Sequence, residues 1–237
     1  MRSKEKKTDL LMRDLFSDLD SALFDLDGTL VETNIDFQLM KSEMVDFAAR
    51  HGIDADELLG LDILAIVEKT SAKLSANSGE KAAQAAKKEA LDVLEKIELR
   101  HAASAQEVPP ARELIAELRN RGIAVGIVTR NCRAASEESI ARAGIHPDVL
   151  LCREDVERTK PSPDQLLTAL EMLKVKPERS IMIGDHLMDV IAGKAAGMKT
   201  IGVLTPGRAD DFFDKVDPDA VARNLGEILS AFIDHHS

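Results

Sequence analysis

Short apolar runs recur along the chain, each closing on polar or glycine-containing sequence: Ala22–Leu26, Ile123–Thr129, Val149–Cys152, Ile181–Gly184 and Thr200–Leu204. Unbroken apolar runs of this length predict strands buried on both faces, as in a parallel sheet. Between the later runs apolar positions recur at helical spacing, over Ala111–Arg121 with Leu114, Ile115 and Leu118 inward, then over Ala134–Ala143, Asp164–Leu173 and Leu187–Ala196. Strand and helix in alternation predict βαβ units and an α/β fold with a doubly wound, Rossmann-like parallel sheet. Asn224–Ile233 reads as a closing helix.

From about Glu32 to Val108 the rhythm changes. No convincing strand is visible, and three helices are predicted over Phe37–Arg50, Leu61–Leu74 and Glu80–Ala102, with Gly52, Gly60 and Asn77–Gly79 as turns. Val108-Pro109-Pro110 marks the return, because a proline pair cannot continue a helix and restricts the residue before it to extended geometry. The expected organisation is an α/β core from 1–31 and 109–237, with an all-helical insertion, 32–108, between its first two strands. Residues 1–17 form an N-terminal extension with no assigned role. An insertion at this point is placed to act as a lid over the carboxyl edge of the sheet, where open α/β sheets bind ligands; a bundle that only adds core gives the same pattern. Met40 and Met44, one turn apart, read as core of that bundle.

Composition narrows the classes. The chain has 31 Lys and Arg against 42 Asp and Glu, a formal net charge of −11, with no Trp or Tyr and seven Phe. It therefore lacks the basic face and the stacking platforms of a nucleic-acid binder. No apolar stretch approaches the roughly 18–20 residues of a membrane helix. Asp9, Arg13, Asp14 and Asp18 interrupt any apolar segment of a secretory signal. Cys132 and Cys152 fall in no CxxC or Cys/His cluster, which argues against a disulfide framework or a structural zinc site. The expectation is a cytoplasmic monomer or homodimer with no nucleic-acid or membrane partner.

Candidate chemistry stands where the apolar runs end. Phe24-Asp25-Leu26-Asp27-Gly28-Thr29 places two carboxylates two residues apart, and Gly28 lets the chain turn. Carboxylates crowded over a sheet edge require a cation or a proton between them. Thr129 puts a hydroxyl at the tip of the second strand and Arg130 follows it; Lys160-Pro161-Ser162-Pro163 fixes a lysine in a stiff loop before a helix. Gly184-Asp185-His186-Leu187-Met188-Asp189 adds two acids at a strand-to-helix junction. Singly, each has a plain structural explanation as a turn, a helix cap, a dipole contact or a surface lysine. Their joint occurrence favours one shared site.

Asp25-x-Asp27-Gly-Thr29, Thr129, Lys160 and Gly184-Asp185-x-x-x-Asp189, in this order, resemble the four motifs of the haloacid dehalogenase superfamily, and the resemblance runs from Asp20 to the end. The helical insertion, Lys-Pro-x-Pro and the run Ala192–Gly197 resemble more narrowly the phosphoglycolate-phosphatase-like branch with a helical cap. The resemblance implies that Asp25 is the nucleophile, Asp27 the general acid and base, Thr129 a phosphate ligand and Lys160 the charge neutraliser. It also implies that Asp25, Asp185 and the backbone carbonyl of Asp27 hold Mg2+, with Asp189 a further ligand or a support behind them. The implied reaction is hydrolysis of a small phosphorylated metabolite, phosphoglycolate-like or a sugar phosphate, through an aspartyl phosphate. Dehalogenases lack an aspartate at the position of Asp27, and phosphomutases of this branch commonly carry valine where Thr29 stands. A phosphatase is therefore expected ahead of a phosphomutase.

Other readings remain in view. A receiver-type signalling module also gathers acids, a Thr and a Lys on a parallel sheet, but accepts phosphate on an aspartate after its third strand, and the run ending at Cys152 offers none. A catalytically silent binder is disfavoured because every expected catalytic position is filled. Arg130 fits a ligand of the phosphate or of a second substrate anion as well as a solvent-facing side chain; His186 is expected to cap or pack locally. Neither cysteine has a neighbouring base that would make it a nucleophile.

Overall fold

The computed structural model describes residues 12–235; the part of the extension before residue 12 lies outside them. Residues 12–15 are helical, and Phe16 packs edge-on against Phe232 with ring centroids 5.3 Å apart. In chain order the strands are β1 (Ser21–Phe24), β2 (Val31–Glu32), β3 (Gln106–Glu107), β4 (Ala124–Val128), β5 (Val149–Leu151), β6 (Ser180–Gly184), β7 (Lys199–Val203) and β8 (Ala220–Ala222). The helices are α1 (Phe37–Arg50), α2 (Ile63–Ser78), α3 (Glu80–Ala102), α4 (Ala111–Asn120), α5 (Arg133–Ala143), α6 (Asp164–Leu173), α7 (Leu187–Ala196) and α8 (Leu225–His235).

The main sheet has the order β5-β4-β1-β6-β7-β8, and every neighbouring pair is parallel. Its two faces are separate cores. Ala22 and Phe24 of β1 point into a cluster with Leu114, Leu118, Ile140, Ile228 and Phe232, whereas Leu23 between them points to Leu166, Leu170, Met182 and Ala192. Helices α4, α5 and α8 therefore cover one face and α6 and α7 the other, which is why β1 is buried at every position.

The chain divides into two compact units, residues 1–33 with 103–237, and residues 34–102. The second is all helical. Asp36 caps α1 by accepting from Leu39 N at 2.8 Å, Asp62 caps α2, and Gly79 at φ +84° turns α2 into α3. Met40, Met44, Phe47, Ile66, Val67, Leu94 and Ile97 are buried together as its core.

Two features depart from the sequence expectation. β8 closes the sheet edge beyond β7, and β2 pairs antiparallel with β3, Val31 opposite Glu107 and Glu32 opposite Gln106. The stretch 32–108 thus begins and ends in strand rather than being helical throughout. Both are pieces of two or three residues, too short to display a period.

Candidate active site

Strand order brings the expected residues to one edge. Asp25 follows β1, and its N–H continues the ladder to the Ile183 carbonyl at 2.9 Å; Thr129 follows β4, and its N–H meets the Leu151 carbonyl at 2.9 Å. Asp185 follows β6, so three adjacent strands, β4, β1 and β6, present the three motifs side by side. Gly28 makes room for this: it sits at φ +82°, and a Cβ there would lie 2.6 Å from Asp185 Oδ2. A side chain on Gly184 would likewise strike the Asp189 carboxylate.

Lys160 reaches the same point from the loop before α6. Its Nζ lies 2.5 Å from Asp25 Oδ1 and 2.7 Å from Asp189 Oδ1, and donates to the Val128 carbonyl at 2.7 Å. Lys160 and Asp189 are each only 2% exposed. The lysine is aimed by Gln165, which sequence reasoning passed over. Gln165 Oε1 accepts from Lys160 N at 3.2 Å, while its Nε2 donates to the carbonyls of Thr129 at 2.9 Å and Cys152 at 3.0 Å. Nothing local in the sequence marks it, because its full burial at the start of α6 exists only in the fold.

Asp25, Asp185 and Asp189 each offer a carboxylate oxygen, all within 4.8 Å of one another. Burial holds the Asp25 carboxyl well above the ordinary range, against the pull of Lys160 and with the help of Asp189 and Asp185. Burial, reinforced by Asp189, likewise lifts Asp185 to about 6, while Arg208 and Lys160 oppose the rise. Burial works against the Lys160 charge, but Asp189 and Asp25 overcome it and keep the ammonium above its usual value. Three carboxylates, Asp189 buried and Asp25 and Asp185 largely so, against one ammonium leave negative charge in excess, and the donors are hard oxygens. That set fits a magnesium ion.

Asp27 stands outside this trio. Its Oδ1 accepts from Thr33 Oγ1 at 2.5 Å and its Oδ2 from Asn131 Nδ2, two partners that sequence reasoning missed. The Thr29 hydroxyl is 3.4 Å from Asp185 Oδ1. Thr129 is buried, and its hydroxyl accepts from Asn131 N at 3.2 Å. Arg130 extends its Nη1 to Met188 Sδ at 2.7 Å, and its carbonyl accepts from Arg153 Nη1 at 3.2 Å. Asp189 serves twice, since its Oδ2 also accepts from His186 N at 3.0 Å. His186 caps α7, its Nδ1 accepting from Met188 N at 3.2 Å. Cys132 caps α5, and burial pushes the Cys152 thiol up to about 11, far from a thiolate nucleophile.

Among the described residues no helix is long and apolar enough to cross a membrane. The sequence profile of haloacid dehalogenase-like hydrolases matches residues 22–203. A pyrophosphatase PpaX from Bacillus cereus is 28% identical over 220 residues, covering 89% of this chain and 95% of the relative. Among solved structures, a predicted phosphoglycolate phosphatase from Haemophilus somnus aligns with a TM-score of 0.61 at 16% identity, over 90% of this chain and 98% of the other. A chain provisionally named a β-phosphoglucomutase, from Thermotoga maritima, aligns with a TM-score of 0.59 at 22% identity, over 91% and 99%. With the profile spanning the ends of β1 and β6, where the acidic cluster is built, the chain belongs to the haloacid dehalogenase-like hydrolase family.

Proposed function

We propose that this enzyme is a magnesium-dependent phosphatase that hydrolyses a small phosphorylated metabolite through an aspartyl phosphate. The observation that carries the reading is the convergence of Asp25, Asp185, Asp189 and Lys160 in one buried cluster at the sheet edge. Relatives named for pyrophosphate and phosphoglycolate hydrolysis support a compact anionic substrate.

Magnesium, when bound, would be held by the carboxylates of Asp25 and Asp185 with the Asp27 carbonyl, supported by Asp189, and would supply charge compensation to the phosphoryl oxygens. Asp25 is the nucleophile: a carboxylate oxygen forms a bond to phosphorus as the ester oxygen departs. Lys160 favours the ionised form of that carboxylate, against burial that favours the neutral one. The Thr129 hydroxyl donates to the phosphoryl oxygens as charge spreads over them. Asp27 gives its proton to the leaving alkoxide, then takes one from the water that cleaves the acyl phosphate and restores Asp25. Thr33 and Asn131 hold its two oxygens in place for both steps. The helical unit has the role of the cap.

The purified protein is expected to release phosphate from p-nitrophenyl phosphate with magnesium and to stop on chelation. Activity that survives chelation would overturn the reading. Asp27→Asn is expected to cost on the order of 10²–10⁴-fold on alkyl phosphates and much less on aryl phosphates, whose oxygen leaves without a proton. Equal losses on both would remove the acid role from Asp27. The likeness to a chain named as a phosphoglucomutase keeps one second reading, phosphoryl transfer between positions on a sugar. Inorganic phosphate as the product separates hydrolysis from it.

A further inference from the structure

We propose that Arg130 and Arg208 form a second anion-binding arm beside the acidic cluster, selecting phosphate esters whose leaving group carries its own negative charge, a second phosphate or a carboxylate. The proposal rests on the phosphatase reading and goes beyond it by naming the substrate class.

Its basis is the order of the strands. Asp25 and Asp185 follow β1 and β6, neighbours in the middle of the sheet; Arg130 follows β4 on one side, and Arg208 lies in the connection after β7 on the other. All four strands are parallel, so the residues after them share one edge. Arg130 does not turn away from that edge. Its contact with Met188, in the helix that follows β6, directs the side chain from β4 toward β6, the two strands that flank β1. On the other side Arg208 places its Cζ 4.3 Å from the centroid of the Phe212 ring, and Phe212 meets His186 with centroids 6.4 Å apart. His186 is the residue between Asp185 and α7.

Lys160 cannot meet a second anion. Its buried ammonium is engaged by Asp25, Asp189 and the Val128 carbonyl. A charged leaving group must therefore find its counter-charge at the mouth of the site, and guanidinium groups match phosphate and carboxylate with two parallel donors. A neutral alcohol or sugar offers them no counter-charge.

The test compares phosphoglycolate and pyrophosphate with ethyl phosphate, which lacks the second charge. The wild-type enzyme is expected to favour the first two in kcat/KM by at least about 10-fold, and Arg208→Gln and Arg130→Gln each to reduce that ratio on the order of 10-fold, mainly through KM. Calorimetry with imidodiphosphate is expected to show weakening by a similar factor in each variant. Arg208 is exposed, so its variant carries the test if Arg130→Gln fails to fold. Equal kcat/KM for charged and neutral leaving groups, or ratios unchanged in the variants, would overturn the arm. If no ester is hydrolysed the phosphatase reading falls, and calorimetry decides the arm alone: undiminished imidodiphosphate binding refutes it, weakened binding sustains it.

Discussion

Asp25→Asn is expected to lose at least about 10³-fold in kcat on every phosphate ester while remaining folded, because an amide cannot form the acyl phosphate. The substitution also removes one of three crowded carboxylates. Burial already holds this group well above the ordinary carboxylate range, so its ionised form is a strain on the metal-free fold. The variant is therefore expected to melt no lower than wild type in chelator. A ligand that binds only the native state at about 100 times its Kd adds roughly 2.7 kcal/mol, and the rise in Tm on adding magnesium should shrink when one carboxylate is lost. Melting curves with chelator and with magnesium, run beside phosphate release, check both halves. Appreciable turnover by the variant would sink the covalent mechanism, and an undiminished magnesium effect on Tm would remove Asp25 from the metal site.

The parts of this site that the sequence displays are those lying next to strand ends. Asp25, Thr129 and Asp185 each follow an apolar run directly, and the helices α6 and α7 fall at Asp164–Leu173 and Leu187–Ala196 because their apolar spacing is regular and their ends are marked by Pro163 and Gly197. What it conceals are contacts made across long stretches of chain. Asn131 meets Asp27 over 104 positions, and Gln165 joins the Thr129 and Cys152 carbonyls. No local pattern encodes such pairings; they exist only once β4, β1 and β5 are aligned. β8 escaped for another reason, since Ala220–Ala222 is three residues of small side chains whose strand character comes from its pairing with β7.

Lys160→Met is expected to be the most damaging change to the fold. Breaking a buried ion pair by removing one partner costs about 3–5 kcal/mol, which for a chain of this size lowers Tm by on the order of 10 °C. Activity should fall by at least about 10²-fold, since charge opposite the phosphoryl group is lost as well. The loss has a definite pH dependence. The ammonium is what pulls the Asp25 carboxyl down, and without it burial, Asp189 and Asp185 raise it further. A group whose pKa is higher folded than unfolded binds more protons in the native state, so stability declines as pH climbs from the unfolded value toward the folded one. The deficit relative to wild type is therefore expected to be smaller at pH 5 than at pH 8 in metal-free buffer. Denaturant titrations at the two pH values measure it, and a deficit that grows toward acid would show that the lysine does not compensate Asp25.

The two-stranded ribbon of β2 and β3 has a consequence for how such an enzyme diversifies. Val31 lies opposite Glu107, so the chain departs for the helical unit and comes back at points only one strand spacing apart. An antiparallel pair of this kind can be closed by as little as a two-residue hairpin. Whatever is spliced between its ends need satisfy only that short gap, and the acidic cluster, built entirely from residues outside 34–102, is left undisturbed. The ribbon is in effect a graft point, at which one inserted unit can be exchanged for another without disturbing the acidic cluster.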